Sequence, residues 1–144
     1  MAKVFRMSSA RRSEARMMAF FIRLGLAPSS MYVLSVRGRK TGLIRSNPVD
    51  LEGDKEWLVA PYGVVQWVRN ARVAGEVILS RGGRSQTLRI SEVGPEEAAP
   101  VLRQYISRGR FVRPYFDADP DSPLEAFIAE APRHPVFHIL GAVQ

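Results

Sequence analysis

The hydrophobic and polar positions follow two periods, which together predict a sheet of hairpins with helices around it. Strand-like alternation covers residues 31–37 and 43–52, and a turn bounded by glycines joins them. Pro48 lies inside the second run and predicts an edge position or a bulge there. The remaining strands are predicted at 57–62, 76–80, 85–93 and 134–140. Because short turns join most of these strands, we expect a largely antiparallel sheet curled into a small barrel.

Four segments have the apolar spacing or the end signals of helices. The first covers about 8–24, has Ser8 or Ser9 as its N-cap, and is basic in its first half but almost wholly apolar in its second. The others are predicted at 64–75, 94–108 and 122–131. Ser122 opens the last of these as the N-cap of a capping box. No linker or repeat interrupts the chain, so we expect residues 1–144 to form one domain of the α+β class.

Composition excludes several kinds of chemistry. The chain of 144 residues contains no cysteine and only two histidines, His134 and His138. Disulfides, thiolate catalysis and sulfur-ligated metals are therefore excluded, and we expect no metal site. The longest apolar run, residues 17–22, is far shorter than the roughly 20 residues of a membrane span. We expect a cytoplasmic protein, in which the basic and then apolar stretch 5–24 could make a weak contact with a membrane surface.

A net charge of +7 favours an anionic partner, and part of that charge is concentrated at one turn. The sequence SVRGRKTGLIRS, residues 35–46, combines four cations with hydroxyl groups and two glycines. Its cations are Arg37, Arg39, Lys40 and Arg45, and Thr41 and Ser46 supply hydroxyls. Two interpretations remain open on spacing alone: a solvated hairpin end, or a cradle for a phosphate or several carboxylates. The spacing is not that of a P-loop, and a strand follows the turn where a P-loop has a helix.

Two further segments have both a structural and a functional interpretation. Residues 60–70, APYGVVQWVRN, run from a strand through Gly63 into a helix, and either form a packing corner or leave free amides for an anion or a flat ring. An aromatic stretch around residues 105–116 is either core or a loop that covers a pocket. His134 and His138 are spaced to share one face of a strand, and structural roles are favoured over a metal pair.

Taken together, these segments resemble the deazaflavin-dependent nitroreductase family of actinobacteria, whose members use coenzyme F420. The resemblance rests on YVLSVRGRKTGLIRSNPVDLE, residues 32–52, followed by EWLVAPYGVVQWVRNARVAGEVILSRGG, residues 56–83. It covers about residues 20–140 and combines G-R-K-[ST]-G-x-x-R with a downstream A-x-x-G and W-x-x-N. The resemblance implies a split β-barrel and a reductase. The hydride of reduced deazaflavin would pass to a small hydrophobic acceptor: an enone or lactone, a nitro-aromatic or a quinone.

The resemblance also implies a role for individual residues. The cofactor's phosphate and polyglutamate tail would be bound by Arg39, Lys40, Thr41, Arg45 and Ser46. The deazaflavin ring would lie against Pro48, Val49, Ala60, Pro61, Tyr62 and Gly63, and the groove would be completed by Trp67 and Asn70. Tyr105 and Tyr115 are the catalytic candidates on the substrate side. The segment 61–66 is short in this chain, whereas many members of the family have a longer insertion at this place.

Other functions remain open. The same fold could serve a non-catalytic carrier of F420, FMN or haem, or a lipid-binding protein. A polyglutamate tail needs a longer basic track than a mononucleotide does, and the cluster at 37–45 favours the longer ligand, with FMN as the alternative. Nucleic acid is not expected, because the basic cluster contains no aromatic residue on which a base could stack. The pattern does not distinguish a monomer from a homodimer.

Overall fold

The computed structural model describes residues 2–109 and 111–143, which form a barrel with helices packed against it. The elements in chain order are α1 (Ser9–Arg23), β1 (Met31–Arg37), β2 (Ile44–Glu52), β3 (Trp57–Val59), α2 (Gln66–Ala74), β4 (Glu76–Arg81), β5 (Arg84–Glu92), α3 (Pro95–Arg108), α4 (Leu124–Glu130) and β6 (Val136–Ala142). The strands close in the order β1-β2-β3-β6-β5-β4, and every pairing is antiparallel. The predicted α+β class and antiparallel barrel are confirmed.

The register of the first hairpin sets the position of the basic turn. Arg37 of β1 pairs with Ile44 of β2, so residues 38–43 form the turn. Pro48 pairs with Val33, whereas β3 pairs only with the last two residues of β2. The half of β2 that contains Pro48 therefore has a strand on one side only, and the predicted edge position is confirmed.

Two large hydrophobic cores hold the barrel and the helices α2, α3 and α4 together. One fills the barrel and includes the fully buried side chains of Leu34, Leu58, Val68 and Phe137. Here α2 closes the end of the barrel, because Trp67, Val68 and Ala71 share one helical face. The other core lies between the barrel and α3 and α4, and Phe127 is its largest fully buried side chain.

The first helix forms where the sequence predicts it and lies against β1. The Oγ of Ser8 accepts a hydrogen bond of 3.2 Å from the backbone amide of Arg11, which caps α1. Ala19 and Ile22 are buried against Val33 of β1. No helix in the described parts of the chain is both long enough and apolar enough to cross a membrane.

Three local predictions are wrong. The third strand ends at Val59 and does not continue to 62. Helix α4 begins at Leu124 without a side-chain cap, because the Oγ of Ser122 accepts a hydrogen bond of 3.0 Å from the amide of Asp119 instead. His134 lies before β6, so it does not share a strand face with His138.

Candidate functional site

A groove of about 630 Å³ lies between α1, the β1–β2 hairpin and the first turns of α2. We call it the basic groove, because six cations line it and none of the described side chains in its wall is acidic. These cations are Arg12, Arg16, Arg23, Arg39, Lys40 and Arg45. A surface of one sign of charge inside a concave wall concentrates anions from solution. The groove therefore suits a ligand with several negative charges.

The hairpin turn that forms one wall is held by its own backbone. The amide of Gly38 donates to the carbonyl of Leu43 at 2.7 Å, and the amide of Gly42 donates to the carbonyl of Gly38 at 2.9 Å. Gly42 has a φ of 75°, which favours glycine. The Oγ1 of Thr41 accepts a hydrogen bond of 3.2 Å from the amide of Leu43. The turn is thus a defined platform for Lys40 and its neighbours.

Arg39 is attached to α2 through neutral amide groups. Its Nη1 donates to the Oδ1 of Asn70 at 2.8 Å and to the Oε1 of Gln66 at 3.0 Å. The backbone amide of Arg39 also donates to the Oδ1 of Asn70, at 3.1 Å. Asn70 is only 6% exposed, so its side chain is a structural link between the hairpin and α2. Because both acceptors are neutral, they orient Arg39 without cancelling its charge.

We expect Asn70→Asp to weaken anion binding at the basic groove by about tenfold while the chain stays folded. The carboxylate keeps both acceptor contacts to Arg39 but forms an ion pair with it, which lowers the positive charge available to a ligand. Titration of the variant with a polyanion, compared with wild type at the same salt concentration, measures the effect. Gln66→Glu is a second test of the same idea, and unchanged affinity in both variants would contradict the role of Arg39.

The arginines of α1 are part of the groove that sequence reasoning missed. Arg12, Arg16 and Arg23 are spaced by four and seven residues, which places them on one stripe of the helix. That spacing is readable from the sequence. What the sequence does not contain is a local signal that α1 packs beside the β1–β2 hairpin, since that contact joins elements distant along the chain.

A second groove, of about 330 Å³, has walls of a different character. We call it the aromatic groove, because Phe5, Tyr62 and Tyr115 line it. The rings of Phe5 and Tyr62 stack with centroids 4.3 Å apart, and Tyr115 meets Tyr62 edge to face at 4.9 Å. Burial, together with the neighbouring Tyr115, raises the pKa of Tyr62 above its ordinary value. Tyr62 is therefore a protonated phenol at neutral pH.

His134 and Glu130 form the buried floor beside the aromatic groove. The Nδ1 of His134 lies 2.8 Å from the carbonyl oxygen of Pro61, and its ring stacks on Phe116 with centroids 3.7 Å apart. Glu130 accepts hydrogen bonds from the amides of Asp117, at 2.8 Å, and Ala118, at 2.7 Å. The Nε2 of His134 lies 3.4 Å from Glu130 Oε1. These contacts tie the loop after residue 111 to the connection that follows β3.

The burial of His134 predicts a loss of stability in mild acid. Burial lowers the pKa of His134, although the Pro61 carbonyl and Glu130 act in the opposite direction. The unfolded chain takes up this proton near pH 6.5 and the folded chain only at lower pH, so stability is fully present above about pH 6.5 and decreases as the pH falls through the folded pKa. Urea unfolding at a series of pH values measures the effect. We expect His134→Gln to flatten the dependence of stability on pH. The control His138→Gln, which changes a partly exposed histidine, should show the same pH dependence as wild type. The reverse result would contradict the attribution of this dependence to His134.

Apart from Tyr105, the predicted site residues fall into three places. Arg39, Lys40, Thr41, Arg45, Ser46, Trp67 and Asn70 line the basic groove. Pro61, Tyr62, Gly63 and Tyr115 line the aromatic groove. Val49 and Ala60 are buried in the barrel core, and Pro48 is half-buried in β2. The connection from β3 to α2 thus lines the aromatic groove, and α2, which follows it, lines the basic groove.

Tyr105 does not lie where a substrate contact requires it. It is 6% exposed, belongs to the core beneath α3 and α4, and lines neither groove. Burial raises the pKa of Tyr105 well above its ordinary value. Its position therefore supports a packing role, and Tyr115 is the better placed of the two tyrosines predicted on the substrate side.

Comparison with solved structures finds the same fold in proteins of low sequence identity. A protein of unknown function from Agrobacterium tumefaciens matches with a TM-score of 0.57 and 14% identity; the match covers 99% of this chain but only 60% of that one. An F420-H2 dependent reductase matches with a TM-score of 0.52 and 15% identity over 78% of this chain and 95% of its own. A heme binding protein from Mycobacterium smegmatis matches with a TM-score of 0.54 and 11% identity, over 96% of this chain and 53% of its own. No protein-family model and no curated protein sequence matches the chain.

Proposed function

We propose that this chain is a reductase that takes its hydride from reduced coenzyme F420. The observation that carries the proposal is the basic groove, in which six cations and no acidic side chain of the described wall face one cavity. The cofactor's anionic end consists of a phosphate and a chain of carboxylates. Guanidinium groups bind such anions through paired, charge-assisted hydrogen bonds. The donor set of the groove therefore fits this part of the cofactor.

The residues that would hold the cofactor follow from the two walls of the groove. Lys40, Arg45 and Ser46 would bind the tail from the hairpin, and Arg12, Arg16 and Arg23 would bind it from α1. Arg39 would be presented by Asn70 and Gln66, which already orient its guanidinium. Pro48 and the connection 61–63 would lie against the ring, whereas Val49 and Ala60, which are buried in the barrel core, would support it only through their neighbours. When bound, the deazaflavin supplies the hydride, so the chain itself needs little acid–base machinery.

The aromatic groove is the proposed place of the acceptor. Its walls of Phe5, Tyr62 and Tyr115 suit a flat, apolar molecule such as an enone or lactone, a nitro-aromatic or a quinone. Reduction of such an acceptor also requires a proton. Tyr115 is the proposed donor, because it lines the groove and meets the neutral phenol of Tyr62. The chain would thus contribute position, a dry wall and one proton.

A carrier of another cofactor is the alternative, since the solved structures of this fold include a heme binding protein. Neither histidine of this chain is well placed to ligate iron. The Nδ1 of His134 lies against Pro61 and the ring stacks on Phe116, while the Nε2 of His138 lies 2.9 Å from Glu56 Oε1. FMN has a single phosphate, whereas the basic groove has six cations in total, three on its α1 wall and three on its hairpin wall. The charge distribution therefore favours the longer polyanion.

Two measurements test the proposal in sequence. The first is a fluorescence titration of the protein with coenzyme F420, with FMN titrated in parallel; we expect F420 to bind more tightly. The second is anaerobic oxidation of reduced F420 against a panel of enones, nitro-aromatics and quinones. Absence of F420 binding would overturn the proposal. Tight binding without turnover of any acceptor would favour the carrier.

A further inference from the structure

Helix α1 has a third face that neither the barrel nor the basic groove uses. Met17, Phe20, Phe21 and Leu24 follow the helical spacing i, i+3, i+4, i+7, so they share one side of α1. Their side chains are exposed by 63%, 58%, 42% and 54% respectively. Leu26, just after the helix, is 69% exposed. We call these five residues the apolar face of α1.

The rest of the helix explains which way this face points. Ala19 and Ile22 are buried against the barrel, and the stripe of Arg12, Arg16 and Arg23 borders the basic groove. The apolar face therefore lies on the side of α1 away from the barrel. A helix with one face on the protein core normally exposes polar residues on the opposite side. Large apolar side chains clustered there indicate a binding surface.

Charge identifies the partner that this surface fits. Within Ser9–Arg23, α1 contains four arginines and one acidic residue, Glu14, so the apolar face is bordered by positive charge. An apolar helical face with a basic border is the pattern of helices that lie in the interface of a bilayer, where aromatic and aliphatic side chains enter the acyl region and cations meet anionic headgroups. We propose that the apolar face of α1 docks this protein on an anionic lipid surface.

A second copy of the chain fits this surface less well. A two-fold contact through α1 would bring the arginine stripes of both copies to one interface, where like charges repel. The face is also a single convex helix carrying four side chains and Leu26, whereas stable interfaces bury about 800 Å² on each partner. A fluid bilayer needs no complementary shape and supplies the opposite charge. The proposal that α1 docks on a lipid surface does not depend on the proposed hydride transfer.

Vesicle sedimentation tests the proposal directly. The full chain is mixed with vesicles of phosphatidylcholine containing phosphatidylglycerol, or of phosphatidylcholine alone, and the bound fraction is measured. We expect binding to the anionic vesicles, weaker binding to the neutral ones, and a decrease of about tenfold or more in the variant Met17→Gln/Phe20→Gln. The matched control is Val73→Gln/Leu140→Gln, which removes two apolar side chains that are 70% and 56% exposed on other elements. We expect the control to bind like wild type.

The outcomes separate the lipid from the other occupants. Equal vesicle binding by Met17→Gln/Phe20→Gln and wild type, or no binding of wild type to anionic vesicles, would overturn the proposal. Light scattering without lipid provides the second readout. A dimer that the same two substitutions dissociate would assign the face to a second copy and would also overturn it. Circular dichroism and thermal unfolding check that both variants fold, which we expect because the changed side chains are exposed.

Discussion

Replacing Arg16 and Arg45 together by glutamate is expected to lower the affinity for coenzyme F420 by at least about 100-fold. The two residues stand on opposite walls of the basic groove, one on α1 and one on β2. A hydrogen bond to a charged group contributes about 1.5–3 kcal/mol, and the variant removes two such donors and adds two repelling charges. Fluorescence titration at low and moderate salt measures the loss. We also expect the remaining affinity to depend less on salt, because fewer ionic contacts remain to be screened.

The matched control is Arg84→Glu/Arg89→Glu. Both residues are exposed on β5 and neither lines the basic groove. Each double variant lowers the net charge by four, from +7 to +3, so the two proteins have the same overall charge. We expect the control to bind F420 within about threefold of wild type, since long-range steering alone changes affinity little at moderate salt. An equal loss in both variants would show that net charge, and not the groove, attracts the cofactor.

The hairpin wall of the site could be predicted because its determinants are local. Residues 31–37 and 43–52 alternate, and Gly38 and Gly42 define a turn whose hydrogen bonds close within six residues. The pairing of β1 with β2 follows from this pattern. Pro48 also gave the correct edge position, since its ring excludes a second ladder on that side.

The other wall depends on contacts between distant parts of the chain. Nothing in residues 9–23 alone indicates that α1 packs beside the β1–β2 hairpin, although the spacing of Arg12, Arg16 and Arg23 predicts one stripe on the helix. The aromatic groove is similar, because Phe5 meets Tyr62 and Tyr115 only after the chain has folded. Tyr105 is a different case. Ala98, Leu102 and Tyr105 follow helical spacing and are all buried, a pattern that predicts a core tyrosine without any structure.

The capping-box pattern at the start of α4 gave a wrong prediction because another hydrogen bond competes for the same side chain. The spacing of Ser122 and Glu125 satisfies a capping box, but the Ser122 hydroxyl accepts a hydrogen bond from Asp119 and caps the preceding turn instead. Short polar side chains often form such turns in place of helix caps. The helix then begins at Leu124 with Pro123 before it. The site is unaffected, because the contact of α4 with His134 beside the aromatic groove comes from Glu130 at the end of the helix and not from its first turn.

Phe137→Ala is expected to have the largest effect on stability, about 3–5 kcal/mol. The ring is 1% exposed in the barrel core, with its centroid 6.0 Å from that of Trp67, and it lies on β6 between β3 and β5. The substitution leaves a cavity beneath the helix that closes the barrel. Equilibrium unfolding in urea measures the loss. Leu140→Ala is the control on the same strand, where a side chain that is 56% exposed should change stability by less than about 0.5 kcal/mol.

The same variant separates the fold from the site. Phe137→Ala removes no charge from the basic groove, so we expect its folded fraction to bind F420 within about threefold of wild type. Arg16→Glu/Arg45→Glu should show the opposite behaviour, with weak F420 binding but the same stability to urea as wild type. If Phe137→Ala were as stable as the Leu140→Ala control, the barrel core would be packed differently from the structure. If it stayed folded but lost F420 affinity as completely as the charge variant, Trp67 and its support from Phe137 would contribute more to binding than the arginines do.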